Sequence, residues 1–228
     1  MSREFTKEIK REITEKCKEI GFKKKQNFYI KPYTENVIAV LFFGFYSFQM
    51  PGHVFVAAFV GVTYKDVEEI FCKLCGIANP VFDYTILGQI GYVMPENSFK
   101  EWDMVEGSDN TGVFEDLFKN IKTYGFKYYE KMKDFNNLFQ TFEIRGSVVN
   151  VSRDRRLPIL YYLKGEKEKG LKFIEEAIER ENTPVDMESL IKESQMTFPD
   201  AEVTIITSGP GRVDPEYLEF KERYKALP

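Results

Sequence analysis

Apolar residues open the chain at intervals of four, four, four and three: Phe5, Ile9, Ile13, Cys17 and Ile20, with Lys, Arg and Glu between them. That spacing returns each apolar side chain to one stripe of a 3.6-residue helix, and predicts an amphipathic helix over residues 2–20. Ser2 is placed to cap its start. Gly21 is placed to end it in the left-handed conformation that a side chain disfavours.

The period then changes. Residues 22–30 read as extended, and Pro32 breaks the pattern in a loop running to Asn36. Residues 37–48 are apolar on both alternating sets: Val37, Leu41, Phe43 and Phe45 on one, Ile38, Val40, Phe42, Tyr46 and Phe48 on the other. Both faces of that strand should be covered. Met50-Pro51-Gly52-His53 has Pro and Gly at the central positions of a type II turn, so residues 54–64 should return alongside as the next strand. A short helix follows over 65–75, with Val67, Ile70, Phe71 and Leu74 on its apolar face and Gly76 at its end. Residues 81–94 alternate and predict a half-exposed strand, bulged near Gly88 and Gly91, and residues 98–106 predict a fifth.

The turn formers from Gly107 to Gly112 mark the boundary between two textures. Beyond it the periodicity is helical over 113–133, 135–145, 156–163, 167–181 and 187–194. A strand at 202–207 follows, then a Gly-Pro-Gly turn and a last helix with Asp214 as N-cap and Pro215 at its first position. The fold class is therefore α+β. Residues 1–108 form an antiparallel sheet of four or five strands packed by the N-terminal helix. Residues 109–228 form a mainly helical half that covers the other face of the sheet or stands as a separate lobe.

With 43% hydrophobic and 30% charged residues, the chain has the composition of a globular protein. Its net charge of −4 argues against a general affinity for nucleic acid, which draws on a basic stripe. Lys23-Lys24-Lys25 is the compact basic run, read as a solvated strand edge in preference to a phosphate patch. The opening residues lack the apolar region of a secretory signal, and no apolar run reaches membrane-spanning length. Three cysteines, an odd number, fit a reducing compartment, so a cytoplasmic protein without membrane attachment is expected.

Candidate chemistry is sparse. Cys72-Lys73-Leu74-Cys75 matches C-x-x-C, but falls at a predicted helix C-terminus, where the dipole disfavours a thiolate. A zinc site would need Cys17, Cys72, Cys75 and His53 to converge, since the chain has no other Cys or His. His53 is the single histidine and reads as a turn residue, with a base paired to a carboxylate or cysteine as the functional alternative. Gly209-Pro210-Gly211-Arg212 lacks the Lys-Ser/Thr ending of a phosphate loop, and its Pro removes a donor. Glu68-Glu69, Glu175-Glu176 and Glu179 read as solvated helix faces. Arg153-Asp154-Arg155-Arg156 reads as helix-entry solvation, with contact to an acidic partner as the alternative. In a regular helix, some of Tyr124, Phe126, Tyr128 and Tyr129 must face outward or toward another subunit, an interface signature.

Ile20-Gly21-Phe22-Lys23-Lys24, then Asn27-Phe28-Tyr29, then an aromatic hairpin, resembles the opening of the bacterial domain-of-unknown-function family numbered forty-three-oh-four. Ile90-Gly91-Tyr92-Val93-Met94-Pro95 with Trp102 resembles the end of that family's sheet. The stretch from Arg156 to Glu166 leading into Phe173-Ile174-Glu175-Glu176-Ala177 resembles its helical segment. The resemblance implies a small α+β protein, carries no catalytic residues, and implies an association with immunity proteins that sit beside secreted toxins. Residues 157–180 also resemble a single tetratricopeptide-type hairpin, and one unit is not an array.

The functional expectation is a non-catalytic binding module that holds another protein through its sheet edge or an aromatic helical surface. The alternative is a carboxylate-based hydrolase or small-ligand binder between sheet and helices. No catalytic, binding or metal-ligating residue is assigned, and no cofactor is expected.

Overall fold

The computed structural model describes residues 3–47, 50–79, 81–144, 153–182 and 214–228. Helix α1 (Arg3–Glu19) buries Phe5, Ile9, Ile13 and Cys17, the stripe that the spacing picks out. Gly21 ends it at φ 86°, with its N–H on the Lys18 carbonyl and the Phe22 N–H on that of Cys17. This is the reciprocal C-cap expected where a left-handed glycine follows a helix.

The chain then builds a six-stranded antiparallel sheet. Its strands are β1 (Lys23–Lys25), β2 (Phe28–Pro32), β3 (Val37–Tyr46), β4 (His53–Tyr64), β5 (Ile86–Gln89) and β6 (Trp102–Val105). Residues 22–30, expected as one strand, are two, because Gln26 takes φ 55° and turns the chain into a tight hairpin. The Met50–His53 turn forms as predicted, with Gly52 at φ 77° and the His53 N–H on the Met50 carbonyl at 3.2 Å. Strand β4 is long enough to take two partners on one edge. Its first part pairs with β6 and its last part with β5.

Residues 81–94 are not one strand. Only Ile86–Gln89 pairs, and Ile90–Val93 winds into a 3₁₀ turn. The Gln89 side chain closes that turn: its Oε1 accepts from the Gly91 N–H at 2.7 Å, and its Nε2 donates to the Lys100 carbonyl. A Cβ at Gly91 would collide with the Ser98 carbonyl, so this glycine serves a close backbone approach, as strand glycines often do.

Helix α2 (Lys65–Cys75) leaves the end of β4 directly and ends at Gly76, φ 70°. After β6, α3 (Thr111–Asn120) and α4 (Phe126–Met132) run continuously through a π turn at Ile121–Gly125. That turn holds Tyr124 half-buried and corrects the outward expectation only for the aromatics that follow it. Its wider winding rotates the following residues, so Tyr129 becomes fully buried while Phe126 and Tyr128 pack against the core. Helices α5 (Phe135–Glu143), α6 (Arg153–Leu163), α7 (Lys167–Asn182) and α8 (Pro215–Lys225) complete the described chain. The expected helix at 187–194, the strand at 202–207 and the turn at 209–212 lie outside the described residues.

Among the described residues, the helices that pack on the sheet lie on the side of α1. Thr14 of α1 meets the Tyr29 hydroxyl at 2.8 Å, and the Phe43 ring lies 6.3 Å from that of Phe118 on α3. Tyr29, Leu41 and Phe43 share one face of the sheet, so α1 and α3–α4 lie on the same side. Tyr129 of α4 locks this layer by donating to the Val40 carbonyl at 3.0 Å. Helices α6 and α8 pack on α2, which leaves the end of β4, while α5 and α7 pack on α6. Among the described residues no helix is long and apolar enough to cross a membrane.

Candidate functional site

Sheet and helical half meet at a buried charge. Arg156 of α6 is 1% exposed, an environment that a lone guanidinium would not tolerate. Its Nε donates to Glu68 Oε1 at 3.0 Å, and its Nη2 donates to Glu68 Oε2 at 2.8 Å and to Asp83 Oδ2 at 3.1 Å. The Phe71 ring lies 4.2 Å beneath the guanidinium carbon. Thr85 donates to Glu68 Oε1 at 2.8 Å and itself accepts the Tyr64 N–H. Burial opposes the charge on Arg156, but the hydrogen bonds and charges of Glu68 and Asp83 outweigh it and hold the proton more firmly than usual. Both Glu68 oxygens are already bound by donors, a poor arrangement for a general base and a good one for a fastener.

The arginine cluster makes contacts within the molecule that neither reading included. Arg153 donates to the Phe142 carbonyl at 2.6 Å and to that of Glu143, satisfying orphan acceptors at the end of α5. Arg155 pairs with the α8 N-cap, Asp214, at 2.7 Å, and Arg156 turns inward. The cluster joins α2, α5, α6 and α8 within the molecule.

Cys72 and Cys75 occupy the last turn of α2, as expected. Burial is the largest influence on both and pushes both thiols up, more strongly than Arg155 lowers that of Cys75. Cys17 is sealed in the core, where burial pushes its thiol far above the ordinary range. Strand β4 separates His53 from α2. Twelve residues at roughly 3.4 Å each put these two ends about 40 Å apart, so His53 and the C-x-x-C pair cannot share a metal. Among the described residues no group of three or more His, Cys, Asp or Glu side chains is placed to hold a metal ion.

His53 is more than a turn residue. Its Nδ1 lies 2.9 and 3.0 Å from the two oxygens of Asp103 on β6, and its ring stacks on Phe55. A carboxylate only accepts, so the imidazole proton sits on Nδ1. Among the described residues no hydroxyl or thiol hydrogen-bonds to the ring, so the pair as it stands orients no nucleophile.

His53 and Asp103 sit at one end of the sheet's second face. Along this face Phe28, Phe42 and Phe59 stand directly opposite one another on β2, β3 and β4, with ring centroids 5.6 and 5.7 Å apart. Phe82 and Tyr84, from the segment before β5, fold onto Phe28 at 5.6 and 5.8 Å, and Lys25 lies 4.6 Å over Phe82. Tyr46 bends back across Gly44, where a Cβ would come within 3.0 Å of the tyrosine ring, and remains 38% exposed. Each ring of the row is only half-buried.

The alternation of residues 37–48 pointed to both faces of β3, but not to which one α1, α3 and α4 would pack against. Arg156 went unnoticed as an anchor, although a charged residue opening the apolar run Leu157-Pro158-Ile159-Leu160 is a usable signal. No family model, curated protein or solved structure matches this chain.

Proposed function

We propose that this chain is a non-catalytic protein-binding module, and that it binds through the aromatic second face of its sheet. One observation carries the reading: the half-exposed row Phe28, Phe42 and Phe59, extended by Tyr46 and Phe55, lies on the face that α1, α3 and α4 leave uncovered. Aromatic side chains are enriched at the centres of protein interfaces, because they bury much area for few frozen torsions. The immunity-like role implied by the family resemblance is the case in which the partner is a toxin.

The test is co-purification from the cell of origin, with the wild-type chain and Phe59→Lys compared after matched thermal melts confirm that both are folded. A partner held in fixed ratio by the wild type and lost from Phe59→Lys is the expected result. A partner held equally by both chains, or none held by the wild type, sinks the proposal.

A further inference from the structure

The same sheet has an unfinished edge. Strand β2 begins at Phe28, opposite Phe42, whereas β3 runs on through Phe43, Gly44 and Phe45 with β4 on its other side. Among the described residues no strand pairs with these three on the β2 side. A strand alternately directs its backbone donors and acceptors to its two sides, so part of this edge points to a side where no described strand lies. The outer edge of the sheet is protected differently: β1 is three residues long, entirely lysine and exposed.

A groove of about 420 Å³ lies along this unfinished edge, between α1 and the β1–β2 hairpin. Lys10, Lys24, Gln26 and Asn27 line it with Phe43 and Phe45, and its lining includes no carboxylate. In a chain of net charge −4 this is a local reversal. The groove farther along α1 is lined by Glu4, Glu8, Glu12 and Glu106 among others. Lys7, Lys16 and Lys18 of α1 each pair with a glutamate three or four residues away. Lys10 has Thr6, Lys7, Ile13 and Thr14 at those positions and lies 4.8 Å over the Phe45 ring instead. Lys24, opposite Tyr29, shares the sheet face on which α1 lies.

We infer that the edge from Phe43 to Phe45 takes an extended acidic segment of another protein as an added strand. The inference rests on the protein-binding reading and supplies the chemistry of the partner. In the position that β2 would occupy if it were longer, alternate side chains of the segment face the two sides of the sheet. Those on the α1 side meet Lys10 and Lys24 and are Asp or Glu. Those on the other side meet Phe42 and are apolar. The recognised element is thus a short alternation of acidic and apolar residues, held by backbone hydrogen bonds and chosen by the two lysines.

The experiment is a fluorescence-anisotropy titration of the full chain with a labelled six-residue peptide alternating Glu and Val. Saturable binding is expected, weakening as salt rises from about 0.05 to about 0.5 M. In the double variant Lys10→Glu with Lys24→Glu, both surface positions, affinity should fall roughly tenfold or more. A peptide of the same sequence, N-methylated at alternate residues, keeps the charges and removes the strand-pairing donors; it should not bind. Equal binding by the methylated peptide, no binding by the parent peptide, or affinity unchanged in the lysine variant overturns the inference. So does a dimer in light scattering that the same variant dissolves, since the edge would then pair with a second copy. If the wild type holds a co-purifying partner but does not bind the peptide, the edge inference fails alone; if it binds the peptide but holds no partner through Phe59, the aromatic-face reading fails alone.

Discussion

Arg156 and Glu68, 88 residues apart in the chain, are joined by two side-by-side hydrogen bonds of 3.0 and 2.8 Å at the point where α6 crosses α2. A fork of this kind fixes direction as well as distance, and seats the later helices on the end of the sheet. Buried ion pairs add little net stability over a well-packed apolar pair, yet removing one partner strands a charge in the interior.

Arg156→Met should therefore destabilise the protein by roughly 3–5 kcal/mol in urea unfolding, because Glu68 loses its counter-charge. Arg156→Met combined with Glu68→Leu should cost clearly less than the single change. A double variant as unstable as the sum of the singles would show that the two residues do not act as a unit.

Gly170 sets helix propensity against packing. It lies inside α7, where alanine is ordinarily favoured over glycine by about 1 kcal/mol. A Cβ at this position would overlap the hydroxyl of Tyr224 on α8 and come within 2.9 Å of the Pro158 carbonyl. That hydroxyl is anchored, donating to Pro158 at 2.9 Å with the Lys167 carbonyl at 3.2 Å, and cannot move without losing these contacts. Gly170→Ala should lower stability by roughly 1–3 kcal/mol. A rise in the thermal midpoint would mean that α8 yields.

Three buried phenols tie helices to the rest of the molecule: Tyr129 donates to Val40, Tyr64 to Met132 and Tyr224 to Pro158. Burial is the main reason that all three hold their protons above the ordinary phenol value of 10.0. The folded state thus binds these protons more tightly than the unfolded state does. Their contribution is complete below pH 10 and is lost as the pH rises above the unfolded phenol value. The urea midpoint should fall steeply above about pH 10, and Tyr129→Phe should flatten that fall while lowering stability by about 1 kcal/mol near neutrality. Phenolate absorbance from these residues should appear only with unfolding; full ionisation of a folded chain would contradict the assignment.

Much of the architecture is legible along the chain because its causes are local. The four-residue spacing in α1, the left-handed glycines at 21 and 76, the Pro51-Gly52 turn and the Asp214-Pro215 helix start each depend on a few neighbouring residues, and all appear in the structure. Residues 81–94 misled for the opposite reason. Alternation there predicted a strand, but Gln89 finds partners at Gly91 and Lys100 and bends the chain away.

By itself, then, the sequence determined the order and type of most elements and the α+β class, since periodicity, capping and turn chemistry act within a turn or two of backbone. Only the tertiary structure decided which face of the sheet the helices cover, that a π turn buries Tyr129, that Arg156 belongs inside, and that β2 stops before β3 does. Those outcomes depend on contacts between residues tens of positions apart. No local window encodes them, so the half-buried aromatic face and the lysine-lined edge came into view only once the chain had closed on itself.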